Sequence, residues 1–200
     1  MLVLDVPQGS PEWFAARVGI PSASCFNKIA TGSGQSSKQA EDYAYQLAGE
    51  RLTGQKTETY QTPAMARGIE LEAEARELFE FIHDIEVKQV GLVYFDDRKR
   101  YSCSPDGLMD DCGLEIKCPS MHVHIKYLIK GGLPADYYQQ VHGAMHVTGL
   151  KAWWFMSYYP GLPPFIIKVE RDETFCTKLA TLLDVFCHDL DEITAKLRGM

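Results

Sequence analysis

The chain has no pair of cysteines at C-x-x-C spacing; its six cysteines stand at 25, 103, 112, 118, 176 and 187. That scatter argues against a zinc site and a thioredoxin-like motif, and reads as reduced thiols in a cytosolic protein. Nowhere does an apolar run reach the ~18 residues that a membrane helix needs. The opening Met1-Leu2-Val3-Leu4-Asp5 lacks the basic region and long apolar stretch of a secretory signal. The loop Thr31-Gly32-Ser33-Gly34-Gln35-Ser36-Ser37 lacks the Gly-Lys-Ser/Thr ending of a P-loop. Positive charge is scarce: 20 Lys and Arg against 27 Asp and Glu leave a net charge of −7. Taken alone, that balance opposes nucleic-acid binding. A bound divalent cation, or an acidic exterior around a basic lining, would reconcile the two. There is no repeat and no sign of a second domain, so residues 1–200 are expected to form one α/β domain.

What the chain does have is concentrated between residues 104 and 119. Ser104-Pro105-Asp106-Gly107-Leu108 is followed by the polar turn Met109–Gly113 and then by Glu115-Ile116-Lys117-Cys118-Pro119. Short apolar runs flank the turn, which predicts a hairpin with Asp106 at the end of one strand and Glu115 and Lys117 on the next. Side chains alternate along a strand, so Glu115 and Lys117 share a face and Ile116 takes the other. Two hard oxygen ligands beside one ammonium suit a Mg²⁺ site with a reacting water and a phosphate nearby. From spacing alone, the same residues also make an ordinary hairpin with a turn Asp and a surface Glu and Lys.

The rest of the chain alternates helical and extended signals. Residues 8–30 read as two short helices: Ser10-Pro11 starts the first, Gly19 ends it and Ser22 caps the second. Ser24 then falls in a helical first turn beside Arg17. This is a plain helix start with a solvated arginine or, alternatively, a phosphate cradle built on free N–H groups. Residues 38–53 predict a helix burying Tyr43, Leu47 and Leu52. The longest helical signal, 63–83, is opened by Thr62-Pro63 and carries the apolar stripe Leu71, Ala75, Leu78, Phe79 and Ile82. Its acids, Glu70, Glu72 and Glu74, look like a solvated face, with Glu72 and Arg76 an i,i+4 pair. Residues 85–95 are strand-like, and Asp96–Arg100 is a turn with a basic triplet. Residues 120–130 have helical character, but His122 and His124, two apart, share no helix face for a metal. A helix over Pro134–Thr148 contains Gln139 and Gln140. Ala152–Tyr158 is an aromatic strand with Trp153 and Trp154 as core. A strand at Phe165–Glu170 and a helix over 172–198 close the chain. The order predicts a central mixed β-sheet flanked by α-helices.

Pro105-Asp106 followed by Glu115-Ile116-Lys117 resembles the signature of the PD-(D/E)xK nucleases. The longer string SCSPDGL…GLEIKCP is similar to the lambda exonuclease-like (YqaJ-type) branch of phage alkaline exonucleases, as is the opening Trp13-x-x-x-Arg17-x-Gly19 with Ser24. The likeness runs from Trp13 to the last helix. It implies a restriction-endonuclease-like core in which Asp106, Glu115 and the Ile116 carbonyl bind Mg²⁺, with Mn²⁺ as a substitute. Lys117 would orient or deprotonate a water. The Gly68-x-x-x-Glu72 spacing adds Glu72 to the site, with Glu70 in reserve, and Gln140 positions the water or phosphate. Arg17, Ser24 and Ser104 would grip a 5′-phosphate. His142 stands where some relatives carry a second glutamine. The resemblance further implies processive 5′→3′ digestion of one strand of linear duplex DNA to mononucleotides, leaving a 3′ tail for recombination by annealing. With it come a homotrimeric ring, a single-strand annealing partner and a setting in the bacterial cytoplasm. The rivals are a structure-specific endonuclease and a non-catalytic DNA-end-binding module on the same core.

Overall fold

The structure is a computed structural model that describes residues 1–57 and 63–200, with the backbone alone described for 63–65. The predicted helix start at Thr62 lies outside the described residues, as does the end of the polar stretch 54–62 expected as a loop. The central sheet holds four strands in the order β4 (Gly107–Leu108), β5 (Cys112–Lys117), β6 (Ala152–Ser157) and β7 (Phe165–Glu170). Only β5 and β6 run parallel; the other two pairings are antiparallel, so the sheet is mixed as the sequence predicts. A second sheet, not anticipated, joins β1 (Leu2–Leu4), β2 (Leu92–Tyr94) and β3 (Ser102–Cys103), all antiparallel.

A strand covered on both faces needs apolar residues on both, and β5 is buried at Cys112 through Ile116. On one face, Leu114 and Ile116 pack with Met156 of β6 against Ala75 and Phe79 of helix α3 (Pro63–His83). On the other lies the larger core. It is formed by Trp153 and Phe155 of β6, helices α2 (Ala40–Thr53), α5 (Tyr138–Thr148) and α6 (Glu173–Arg198), and the 3₁₀ turn Ala23–Lys28. The result is a sheet between two helical layers. Burying one Leu or Phe of this kind stabilises a fold by roughly 1.5–3 kcal/mol. Helix α4 (Met121–Lys130) and α5 form the crossover between the parallel strands β5 and β6.

Two glycines make room for buried aromatic rings. Gly113 of β5 lies opposite Trp153 of β6; a Cβ there would stand 2.3–2.5 Å from three atoms of the buried indole ring. Gly143 of α5 does the same for Phe26 of the 3₁₀ turn, 2.5 Å from the position a Cβ would take. The second contact seats the 3₁₀ turn directly on α5, which matters for the site.

Local expectations met the structure unevenly. Helix α1 (Pro11–Ala16) is capped by the Ser10 hydroxyl, which accepts the Trp13 N–H; Arg17 is its C-cap, two residues before Gly19. The second short helix is a 3₁₀ turn whose residue Ser22 makes no side-chain cap bond. In α2, Tyr43 and Leu47 are buried but Leu52 is exposed, because the helix presents its last turn to solvent. In α3 the stripe ends at Phe79, and Ile82 is exposed. The strand predicted over 85–95 shortens to Leu92–Tyr94. Val87 enters the small core and Val90 the large one, so this segment crosses between layers and cannot stay in one ladder. Trp153 is fully buried, and Trp154 packs against Phe79 and His83, which supports core roles for both. No helix of the described residues is long and apolar enough to cross a membrane.

Candidate active site

The hairpin β4–β5 delivers its acids as the alternation requires. Glu115 and Lys117 leave one face of β5, and both line a cavity of about 170 Å³ that Asp106, Arg17, Ser24, Ser104 and Gln140 also line. Ile116 points away into the α3 layer. Asp106 precedes β4, and its Oδ2 accepts the Ile116 N–H at 2.6 Å, which ties its carboxylate across the hairpin. The Asp106 N–H in turn bonds to the Leu114 carbonyl at 3.1 Å. Gln8 braces the neighbouring Pro105 carbonyl at 2.8 Å and the Val90 carbonyl at 3.0 Å.

Glu115 is the hub. Its Oε1 lies 2.5 Å from Lys117 Nζ and accepts the Gln140 amide at 2.5 Å. Burial pushes the Glu115 carboxyl up to about 7; Lys117 pulls it down, while Asp106 and Glu72 add to the rise. Burial likewise raises Asp106 against the pull of Lys117 and the Ile116 N–H. Burial works against the Lys117 ammonium, but Glu115 and Asp106 outweigh it and hold its pKa above the ordinary lysine value. A buried and a half-buried carboxylate therefore share one cavity with the Lys117 ammonium; Arg17, the other cation lining it, bonds to Ser22 rather than to either acid. Removing such charges from water costs several kcal/mol each unless further positive charge arrives.

The donor set fits a small hard cation. Among the described residues no group of three His, Cys, Asp or Glu side chains gathers for a metal. A cation here would rest on Asp106, Glu115, a main-chain oxygen such as that of Ile116, and water. Mg²⁺ commonly keeps several waters and takes one or two carboxylates from the protein.

Glu72 of α3 lies near enough to Asp106 for that charge, after burial, to raise its pKa. Its Oε1 is held by Arg76 at 2.5 Å. Glu70 is exposed on the same helix. Among the residues named from sequence, then, Asp106, Glu115, Lys117, Gln140, Arg17, Ser24 and Ser104 meet at one cavity. Glu72 stands beside it, and Glu70 faces solvent.

The cavity is also lined by one arginine set among hydroxyls. The Arg17 guanidinium lies 4.0 Å from the Trp13 ring centre and donates to Ser22 Oγ at 3.3 Å. Ser22 and Ser24 hydroxyls are 2.8 Å apart, and Trp13 Nε1 donates to Ser104 Oγ at 3.2 Å. The Arg17 Nε is buried with no partner among the described residues. Burial lowers the Arg17 pKa, so this cation gains from an incoming anion. The turn that carries it is clamped by α2: Gly19 N–H donates to Glu50 Oε2 at 2.9 Å, and Arg51 Nε donates to the Gly19 carbonyl at 2.9 Å.

Sequence reasoning missed Ser22, Gln8, Glu50 and the burial of Arg76. Ser22 sits in the visible Ser-x-Ser pair, but the other three act through partners distant in sequence or hidden by packing. His142, at the position of some relatives' second glutamine, turns away from the cavity. Its Nδ1 accepts the Asp172 N–H at 3.3 Å at the head of α6.

Residues 12–151 match the YqaJ-like viral recombinase domain. Among solved structures the chain is similar to the alkaline exonuclease LHK-Exo of Laribacter hongkongensis. They share 31% identity and a TM-score of 0.86, over 95% of this chain and 97% of that one. The same protein in complex with dAMP matches at a TM-score of 0.85 and 31% identity over the same shares. A phage-related exonuclease of Haemophilus somnus 129PT shares the fold at 14% identity and a TM-score of 0.69, over 89% of this chain and 96% of that one. No curated protein matches the chain. Family match and fold agree with the motifs around Asp106 and Glu115: the chain belongs to the YqaJ-like viral recombinase family, of the lambda exonuclease-like alkaline exonuclease type.

Proposed function

We propose that this chain is a Mg²⁺-dependent 5′→3′ exonuclease that digests one strand of linear duplex DNA to 5′-mononucleotides and works as one domain over residues 1–200. The observation that carries the reading is the meeting of Asp106, Glu115 and Lys117 with Arg17, Ser24 and Ser104 on a single cavity. The complex of LHK-Exo with dAMP, a nucleoside monophosphate, adds support.

Each side chain has a task set by its surroundings. Asp106, Glu115 and the Ile116 carbonyl would hold the cation, with Mn²⁺ as a substitute for Mg²⁺. Bound there, a divalent cation supplies a lowered pKa for a coordinated water and neutralises charge developing on the phosphate. Lys117 stays an ammonium between its two acids, so it orients the water and donates to the scissile phosphate. Gln140 fixes the rotamer of Glu115 through its amide. Glu72 supports the cation side. Arg17, Ser24 and Ser104 grip the 5′-phosphate of the shortened strand and thereby fix the spacing to the next phosphodiester.

The same reading places the protein in recombination by strand annealing, as a homotrimeric ring acting on DNA ends with a single-strand annealing protein. Its setting would be the cytoplasm of a bacterial host. The test is to incubate linear and closed circular duplex with Mg²⁺. An exonuclease degrades the linear form and spares the circle; nicking of the circle would make it an endonuclease, and binding without cutting an end-binding module. Lys117→Ala should abolish cleavage while DNA binding persists. Cleavage by that variant at the wild-type rate removes Lys117 from the mechanism.

A further inference from the structure

By sequence Arg76 is half of an ordinary helical ion pair, yet in the fold it is only 8% exposed. Its guanidinium sits between the two elements that carry the acids. Nε donates to the Asp106 carbonyl at 3.0 Å, and Nη2 donates to Glu72 Oε1. The amide orientation that satisfies both groups turns the Gln89 oxygen toward Arg76, 2.5 Å from Nη1 and 3.0 Å from Nη2. One planar fork thus ties α3 to the main chain of Asp106 and fixes the side chain of Glu72, while Gln89 accepts from both Nη atoms.

We propose that Arg76 is the positioning residue of the cation site, setting the distance and orientation of Glu72 relative to Asp106. This rests on the reading of Asp106 and Glu115 as cation ligands. Geometry argues for positioning over charge balance. A cation placed only to neutralise the acids would lie between their carboxylates, as Lys117 does with Glu115. Arg76 instead spends Nε on a main-chain carbonyl, which carries no formal charge and gives register. Lysine cannot replace it, because one ammonium on a flexible stem lacks the fixed fork that reaches a carbonyl and a carboxylate at once. Groups that orient metal ligands commonly change affinity by 10–100-fold when removed.

The two roles predict opposite signs. If Arg76 acted only by its charge, removing it would tighten cation binding and Arg76→Lys would be silent. If it positions, both Arg76→Lys and Arg76→Gln weaken binding. The experiment titrates Mn²⁺ into DNA-free wild-type and variant protein and reads free Mn²⁺ by electron paramagnetic resonance, with thermal melts run in parallel. The expected result is Mn²⁺ affinity about tenfold weaker in Arg76→Lys with a cooperative melt retained. Glu72→Gln should weaken it similarly, and the double variant should be no worse than the weaker single, since one acts through the other. Unchanged or tighter Mn²⁺ binding in either folded Arg76 variant overturns the proposal. So does additive weakening in the double variant. If wild-type protein neither binds Mn²⁺ nor cuts DNA, the underlying reading fails. If it does both and Arg76→Lys matches it, only the role of Arg76 fails.

Discussion

Gly113→Ala is the substitution whose cost the structure fixes most directly. The added methyl would lie 2.3, 2.4 and 2.5 Å from Cη2, Cζ3 and Cζ2 of Trp153. The indole is fully buried in the large core, so it must retreat by about 1 Å to reach ordinary contact, into space already filled. Overpacking of this kind costs about 1–3 kcal/mol. Three ring atoms in conflict at once, on a rigid side chain with no solvent to move into, place the loss near the upper figure, about 3 kcal/mol. For a chain of this length each kcal/mol lowers Tm by roughly 2–4 °C, so a drop of about 6–12 °C is expected by calorimetry without DNA or metal. Activity should fall as well. Gly113 shares its face of β5 with Glu115, and a misplacement of about 1 Å at a reacting group can cost 100-fold in rate. A Tm within 2 °C of wild type would refute the packing argument, and wild-type activity in a destabilised variant would refute its link to the site.

Three further outcomes follow from other parts of the molecule. Arg17→Lys should lose most of the preference for 5′-phosphorylated over 5′-hydroxyl ends, by about tenfold or more, because lysine lacks the planar fork that stacks on Trp13 and reaches Ser22; equal rates on both ends in the wild type would remove Arg17 and Ser24 from phosphate recognition. Glu50 is buried yet accepts from Gly19, Lys56, Thr57 and Gln46; burial alone would raise its pKa, but those donors hold it below the usual value. Glu50→Gln turns an amide N–H₂ toward donors and should cost about 3 kcal/mol by chemical denaturation, with a larger effect on the KM for phosphorylated ends than on kcat; an unchanged midpoint counts against the clamp. His146 packs against both Phe95 and Tyr101, and burial lowers its pKa from 6.5 to about 4. Because the folded value is depressed, the unfolded chain binds the proton more readily. The resulting stability is full above pH 6.5 and is lost as pH falls toward 4, by at most about 3 kcal/mol. His146→Phe should flatten the Tm profile in that window, and an equally steep profile would show that His146 does not titrate there.

The site was legible in sequence where local grammar controls geometry. Alternation alone places Glu115 and Lys117 on one face, and a hairpin turn brings Asp106 back to within a hydrogen bond of Ile116. Capping rules located Ser10 and set Ser24 beside Arg17, although Ser22 makes no side-chain cap bond and instead links Arg17 to Ser24. Legibility ended where partners are distant. An i,i+4 pair such as Glu72 and Arg76 has the same spacing on an exposed helix as on a buried one; only the position of β4 tells them apart. Glu50 looks like any helix glutamate until Gly19 and Lys56 converge on it from two loops. Gln8 shows nothing in sequence of its bonds to Val90 and Pro105. The 85–95 run was misread for a related reason: apolar composition marks burial, but not whether consecutive residues enter one core or two.

The acidic balance of the chain needs the same local treatment. Part of its positive charge is spent away from the cavity. Arg100 pairs with Asp96 and Asp184, Arg51 with Asp191, and Lys151 and Arg171 with Glu173. These contacts are largely exposed and worth little each. By contrast, Arg17 and Lys117 face the cavity, and from Ile116 through Ala135 the chain carries Lys117, Lys126 and Lys130 without one Asp or Glu. Net charge sums over the whole surface, whereas a phosphate within about a Debye length of the site responds mainly to the charges there. A total of −7 therefore argues against broad coating of duplex by this chain, and has little bearing on whether a half-buried arginine, its buried Nε unpartnered among the described residues, takes up one phosphate. The same local view links cation and phosphate: a cation on Asp106 and Glu115 would cut their repulsion of a phosphate at Arg17, so end capture and cation binding should favour one another.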